Sequence, residues 1–256
     1  MKLFRRIRHK LILDNKKSKY LKYAFGEIIL VVIGILIALQ INNWNQKRID
    51  KNTEQIYLTG LKEEFEISKW KLEELININK KNYSGAKKIV ELSTQNNDFT
   101  KESLFSKLLV ETFSDDVAFN SNNSLLIEMI NSGNLKNLSN TELRKQLTNW
   151  ISTLEDISRQ EEELSNQRIK VLDMFRTDKY SLNTVFQQAG VSNNFGLPKT
   201  ENEVNNLSLL NSKEFENNII LFIITSIATE KAHYNPLMND LDSILKLINE
   251  EINLSQ

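Results

Sequence analysis

An unbroken apolar run near the start of the chain, AFGEIILVVIGILIALQI from Ala24 to Ile41, constrains the fold more than any other feature. Eighteen helical residues rise about 27 Å, enough to cross the hydrocarbon core of a bilayer with little tilt. A cleavable signal peptide has a shorter apolar region closed by a small-x-small site, and Ala38-Leu39-Gln40 is not such a site. The run therefore predicts one uncleaved transmembrane helix at 23–44, preceded by a basic arm at 1–22 and followed by a domain at 45–256. Tyr20 and Tyr23 at one end and Trp44 at the other supply the amphipathic rings that settle at membrane–water interfaces.

Charge gives this helix a direction. Of 33 Lys+Arg and 33 Asp+Glu, nine and two fall in residues 1–44, which leaves 24 and 31 for the rest. A basic arm thus leads into the helix and an acidic domain follows it. The positive-inside rule puts the N-terminus in the cytoplasm and the domain beyond the inner membrane, in the periplasm. Leu3, Phe4, Ile7 and Leu11 share one side of a helix in the arm, and Arg5, Arg6 and Arg8 project elsewhere. Such a segment lies on an anionic leaflet, at about 1 kcal/mol per base; a disordered topology signal is the other reading.

Glu27 is the ionisable residue inside the run. It lies within a turn of the cytoplasmic end, where the headgroups or Lys19 and Lys22 can meet its charge. At 100° per residue, Glu27, Gly34, Ala38 and Asn45 also fall within about 20° of one line. Gly34-x-x-x-Ala38 is a small-x-x-x-small pair that allows two helices to approach closely. Glu27, Gly34 and Ala38 form the candidate helix-association face, and self-association through it is the expectation.

Past the anchor, 7 Gly and 2 Pro in 256 residues leave little means of turning, so long helices are expected. Cys is absent, which excludes disulfides, thiolate metal sites and Cys nucleophiles. Asn takes about one position in eight and reads as solvated helix faces. No strong breaker interrupts 45–92, where Leu58, Leu61, Phe65, Leu72, Leu75, Ala86 and Ile89 share one face. Gly60 and Gly85 read as tolerable interior glycines costing about 1 kcal/mol each. A short helix from Thr100 to Phe113 and a loop over 114–123 follow. The next helix, from Ser124 to Ser132, ends at Gly133 in a left-handed cap. Ser139-x-x-Glu142 reads as a capping box opening another helix. In that helix Leu143, Leu147, Trp150, Leu154, Ile157, Leu164, Val171 and Phe175 make a core stripe with polar slots at Glu161 and Arg168. Residues 181–210 read as irregular. The chain is helical again from Ser212 to Leu254. Ile219–Ala228 is apolar all round and too short to span a membrane, so it reads as the centre of a bundle, and Pro236 should kink or divide the helix. The predicted class is all-α: one N-terminal transmembrane helix, then an antiparallel bundle of long helices.

Two stretches carry a family likeness. KYLKYAFGEIILVVIGILIALQINNWN, Lys19–Asn45, resembles the anchor of an uncharacterised bacterial family, the domain of unknown function numbered six thousand and ninety. LLIEMINSGNLKNLSNTELRKQL, Leu125–Leu147, resembles that family's second recurrent segment, a helix, a Ser-Gly-Asn turn and the next helix. The resemblance implies a single-pass membrane protein of envelope-bearing bacteria and supplies no activity and no catalytic residue.

The residues themselves point to no chemistry. His9 lies in the arm, and His233 with Glu230 is an incomplete metal set. Nucleophile-elbow, dinucleotide, P-loop and zincin patterns are missing from the sequence. Asp115-Asp116, Asp240-x-Asp242 and Glu161–Glu163 are acidic clusters of the kind helix surfaces often carry. Neither cofactor, metal nor catalytic residue is expected, and an acidic domain argues against nucleic acid as a partner. The expected partners are the lipid bilayer, a second copy through the membrane helix, and an unknown envelope protein. The leading expectation is an envelope interaction or scaffold protein rather than an enzyme. The alternative is a sensor-like ligand-binding bundle without its own output module, which a concave pocket with convergent polar groups would favour.

Overall fold

The computed structural model describes residues 17–94 and 100–254, without the side chains of 17–20, 22, 23 and 100. Most of the basic arm, with its proposed amphipathic face, and the side chains of Tyr20 and Tyr23 lie outside the described residues. The chain divides into two compact units, the first ending at Ile56 and the second starting at Tyr57. No strand occurs among the described residues.

The first unit is the opening part of α1, Lys17–Ser93. It is the one helix among the described residues long and apolar enough to cross a membrane, and none of its apolar window is buried by the other described residues. Beyond that window the helix surface turns polar. Gln46 donates to Asp50 at 2.8 Å, and the Arg48 guanidinium stands 5.5 Å from the centre of the Trp44 ring.

The second unit contains the rest of α1, then α2 (Thr100–Phe113), α3 (Ser124–Asn131) and α4 (Thr141–Asp173). A short α5 (Leu182–Gln188) follows, then α6 (Lys213–Thr229), a π-turn (Glu230–Tyr234) and α7 (Asn235–Asn253). The expected face of α1 is the buried one, from Leu58 to Ile89. Each fully buried Leu or Phe there contributes roughly 1.5–3 kcal/mol. The stripe of α4 is buried as well, apart from a partly covered Leu154.

Pairings fix the topology. α2 runs back along α1, with Asp115 3.6 Å from Lys81, and Asn122 hydrogen-bonded to Ser68 further towards the start of α1. The chain thus returns to the beginning of α1's buried part before α4 starts. Pairs of α4 with the last helices are Asn140–Glu251, Gln146–Ser243 and Glu161–Tyr234. Pairs of α1 with them are Lys69–Asp242 and Asn79–Ser226. Both α1 and α4 therefore run antiparallel to α6–α7.

Several local expectations change. The N-cap of α4 is Asn140 rather than Ser139: its Oδ1 accepts from the Leu143 N–H at 2.9 Å. Asn serves as well as Ser at a cap, and Asn140 stands immediately before the first helical turn. The stretch after Ser181 is less irregular than its Gly and Pro suggest, because Ser181 Oγ accepts from the Thr184 N–H and opens α5. The apolar segment in α6 is not covered all round, since Leu221 and Ile224 are exposed. Pro236 does divide the last helix. It lacks an N–H and its ring crowds the carbonyl four residues back; the chain widens into the π-turn and restarts α7 with Pro236 in its first turn. Gly60 and Gly85 also have a positive use. A Cβ at Gly60 would lie 2.5 Å from Leu125 Cδ2, and one at Gly85 2.2 Å from Thr112 Oγ1, so both glycines mark close helix approach.

Candidate functional site

On the apolar part of α1, a Cβ built at Gly34 meets nothing within 4 Å, and Ala38 is exposed. Glu27 is half-buried. Helical geometry keeps the three on one line.

In the second unit, the two polar slots of the α4 stripe have structural partners. Glu161 Oε1 accepts from the Tyr234 hydroxyl at 2.7 Å and from the Phe119 N–H at 2.8 Å. Arg168 donates from Nε and a terminal nitrogen to the Phe113 carbonyl. Together they hold the start and the middle of the 114–123 loop. From the α1 side, Ser68 and Lys71 hold Asn122, and the Glu64 carboxylate accepts from the Leu125 and Leu126 N–H groups. Glu102 does similar work on another loop, taking the Asn206 N–H with both oxygens. Burial raises the Glu161 and Glu102 carboxyls above the usual range, and their N–H and O–H donors only partly offset it.

Among the hollows that open on this unit, three matter to the sequence reading. One, of about 80 Å³, is apolar and lies among Leu109, Phe113, Leu172, Phe175 and Val185. The other two adjoin along the seam between α4 and α7 and share Thr153. A hollow of about 240 Å³ lies among Gln146, Asn149, Trp150, Thr153, Asp240, Ser243 and Ile244. Another, of about 510 Å³, lies beside the π-turn and includes Asp156, Gln160 and His233. Residues read separately in sequence thus converge: Trp150 from the core stripe, Asp240 from an acidic pair and His233 share one seam. Asp242 points elsewhere, pairing with Lys69 at 2.6 Å, and Glu230 pairs with Lys80 at 3.5 Å. No group of three His, Cys, Asp or Glu suited to a metal ion occurs among the described residues.

Fold and helix composition define an all-α protein with one candidate membrane-crossing helix near its N-terminus. A profile for a family of unknown function, DUF6090, matches residues 27–188, more than half of the chain, and the protein belongs to that family. The match begins inside the apolar run and ends with α5. No curated protein and no solved structure matches the chain.

Proposed function

We propose that this protein is a single-pass inner-membrane protein, N-terminus in the cytoplasm, that displays a helical domain in the periplasm and acts by binding rather than by catalysis. The observation that carries the reading is the α1 window: strongly apolar, long enough to span a bilayer, and covered by none of the other described residues. Contiguous apolar surface of that extent needs lipid or a partner around it. The excess of bases ahead of it supports the orientation. A binding role is favoured over an enzymatic one because the buried carboxylates Glu102 and Glu161 each hold a loop. The partners proposed are an envelope protein and a second copy of the chain, the latter through Glu27, Gly34 and Ala38. Lipid tails give helices little hydrophobic drive to associate, so close backbone approach has to supply the attraction. Cross-linking in bacterial membranes tests this. Gly34→Leu adds bulk on the proposed face and should lower the dimer yield several-fold, while Gln40→Leu, on the far side, leaves it near wild type. Equal yields from all three would remove the association face.

A sensor-like reading has one specific observation in its favour. Polar groups from two helices converge on the α4–α7 seam, as a small-ligand site requires.

A further inference from the structure

Past the apolar window, α1 runs on through a polar stretch that still belongs to the first unit. Between Asn45 and Ile56 only Ile49 and Ile56 are apolar, and they are 47 % and 72 % exposed. Polar side chains around them bond along the helix. Gln46 Nε2 donates to Asp50 at 2.8 Å, Arg48 donates to Asn45 Oδ1 at 3.1 Å, and Thr53 Oγ1 donates to the Ile49 carbonyl at 3.0 Å. Helices draw most of their stability from packing an apolar face, and the two isoleucines are the face this stretch has to offer.

Their positions repeat those of the membrane part. Gly34, Asn45 and Ile56 recur at intervals of eleven residues, and so do Glu27, Ala38 and Ile49. At 100° per residue all six fall inside a wedge of about 60°, the wedge that holds the candidate helix-association face. Lys47, Lys51 and Glu54 lie on the far side of the helix, and Arg48 and Asp50 on its flanks. An eleven-residue repeat, about 3.67 residues per turn, winds paired helices into a right-handed supercoil. Right-handed crossing is also the hand of helix pairs that meet at small residues in lipid. The apolar and the polar parts of the helix therefore call for one geometry.

We propose that two copies of the chain pair in parallel along α1 from Gly34 to Ile56, the contact at small residues in the bilayer continuing beyond it through Asn45, Ile49 and Ile56. The occupant is a second copy for two reasons. Chains anchored in one bilayer with one orientation bring the same residues to the same depth. From Gly34 to Ile56 the wedge also holds no charged residue, so two identical faces do not repel. Asn45 meets its own copy amide to amide and fixes the register, as a single Asn does in a helical seam. Ile49 and Ile56 supply the burial of apolar surface from water that lipid withholds from the membrane part. The inference rests on the self-association reading above and extends that contact out of the membrane.

A chain without cysteine is suited to a single-cysteine scan. Full-length Ala38→Cys, Asn45→Cys, Ile49→Cys and Ile56→Cys chains are oxidised in bacterial membranes and the disulfide-linked dimer is quantified. Lys47→Cys, Lys51→Cys and Glu54→Cys, on the far side, are the controls. All four positions on the proposed face should cross-link at least fivefold more than the controls. A dimer at Ala38→Cys with control-level yields at Ile49→Cys and Ile56→Cys would overturn the continuation and leave the membrane contact standing. High yields at Ile49→Cys and Ile56→Cys with none at Ala38→Cys would confine the contact to the polar stretch and overturn the continuous pair. Control-level yields at all four would remove this inference and the membrane contact together. Equal, high yields at all seven positions would mean random collision and would also overturn the proposal.

Discussion

Gly85 shows how much a single position can hide. By helix propensity alone, alanine there should stabilise α1 by about 1 kcal/mol. The added Cβ would instead lie 2.2 Å from Thr112 Oγ1 and 3.4 Å from Thr112 Cβ. Gly85→Ala is therefore expected to lose about 1 kcal/mol or more in urea unfolding. Adding Thr112→Ala should restore stability, because that hydroxyl is buried without a partner and little is lost with it. A Gly85→Ala chain as stable as its propensity suggests would contradict the close approach. Glu161 makes a second prediction at this scale. Its folded-state pKa is raised by burial above the ordinary value of about 4.3, so the folded state holds its proton more tightly than the unfolded one. The resulting stability is present below about pH 4.3 and is lost as pH rises through the raised folded value. Glu102 and Asp240 shift in the same direction. Urea midpoints should fall between pH 4 and pH 7, and Glu161→Gln should flatten that fall; an unchanged slope would mean that Glu161 is not the titrating group. Sequence periodicity placed Trp150 and Glu161 on the α4 stripe. That Trp150 lines a hollow with Asp240, 90 positions on, and that Glu161 reaches Phe119 and Tyr234, 42 and 73 positions away, depends on partners far along the chain, and no local pattern carries that.

At the scale of elements, the buried faces of α1 and α4 were legible because a helix repeats every 3.6 residues and its apolar positions recur with it. Pro236 was legible as a break because a missing N–H acts within one turn. The cap of α3 was not. Asn123 stands at its N-cap without a side-chain bond, and Glu64, some sixty residues earlier, accepts from the Leu125 N–H at 2.7 Å and the Leu126 N–H at 3.3 Å. Glu64→Ala should therefore cost about 1–2 kcal/mol, as loss of a cap does. Glu63→Ala, on the exposed side, should stay within about 0.5 kcal/mol. Equal effects from the two, measured by thermal unfolding, would show that α3 does not depend on this remote carboxylate. α5 escaped the sequence reading for a related reason: with seven residues it is too short to show a period, and Gly190, Gly196 and Pro198 follow it closely. Its one local signal was Ser181, which caps it.

For the whole molecule, the account stands on the apolar part of α1 and on which side of a membrane the following domain lies. The helix and the all-α fold were legible from the apolar run and the scarcity of turn formers. Family membership adds no activity, since the matching family is one of unknown function. The charge imbalance across the run is the sole argument for orientation, and it can be tested without a ligand or partner. Fusions of alkaline phosphatase and of green fluorescent protein after Gln256, expressed in a bacterium with a periplasm, report opposite sides of the inner membrane. The account predicts an active phosphatase and a dark fluorescent fusion, both in the membrane fraction. A bright fluorescent fusion with an inactive phosphatase would place the domain in the cytoplasm and contradict it.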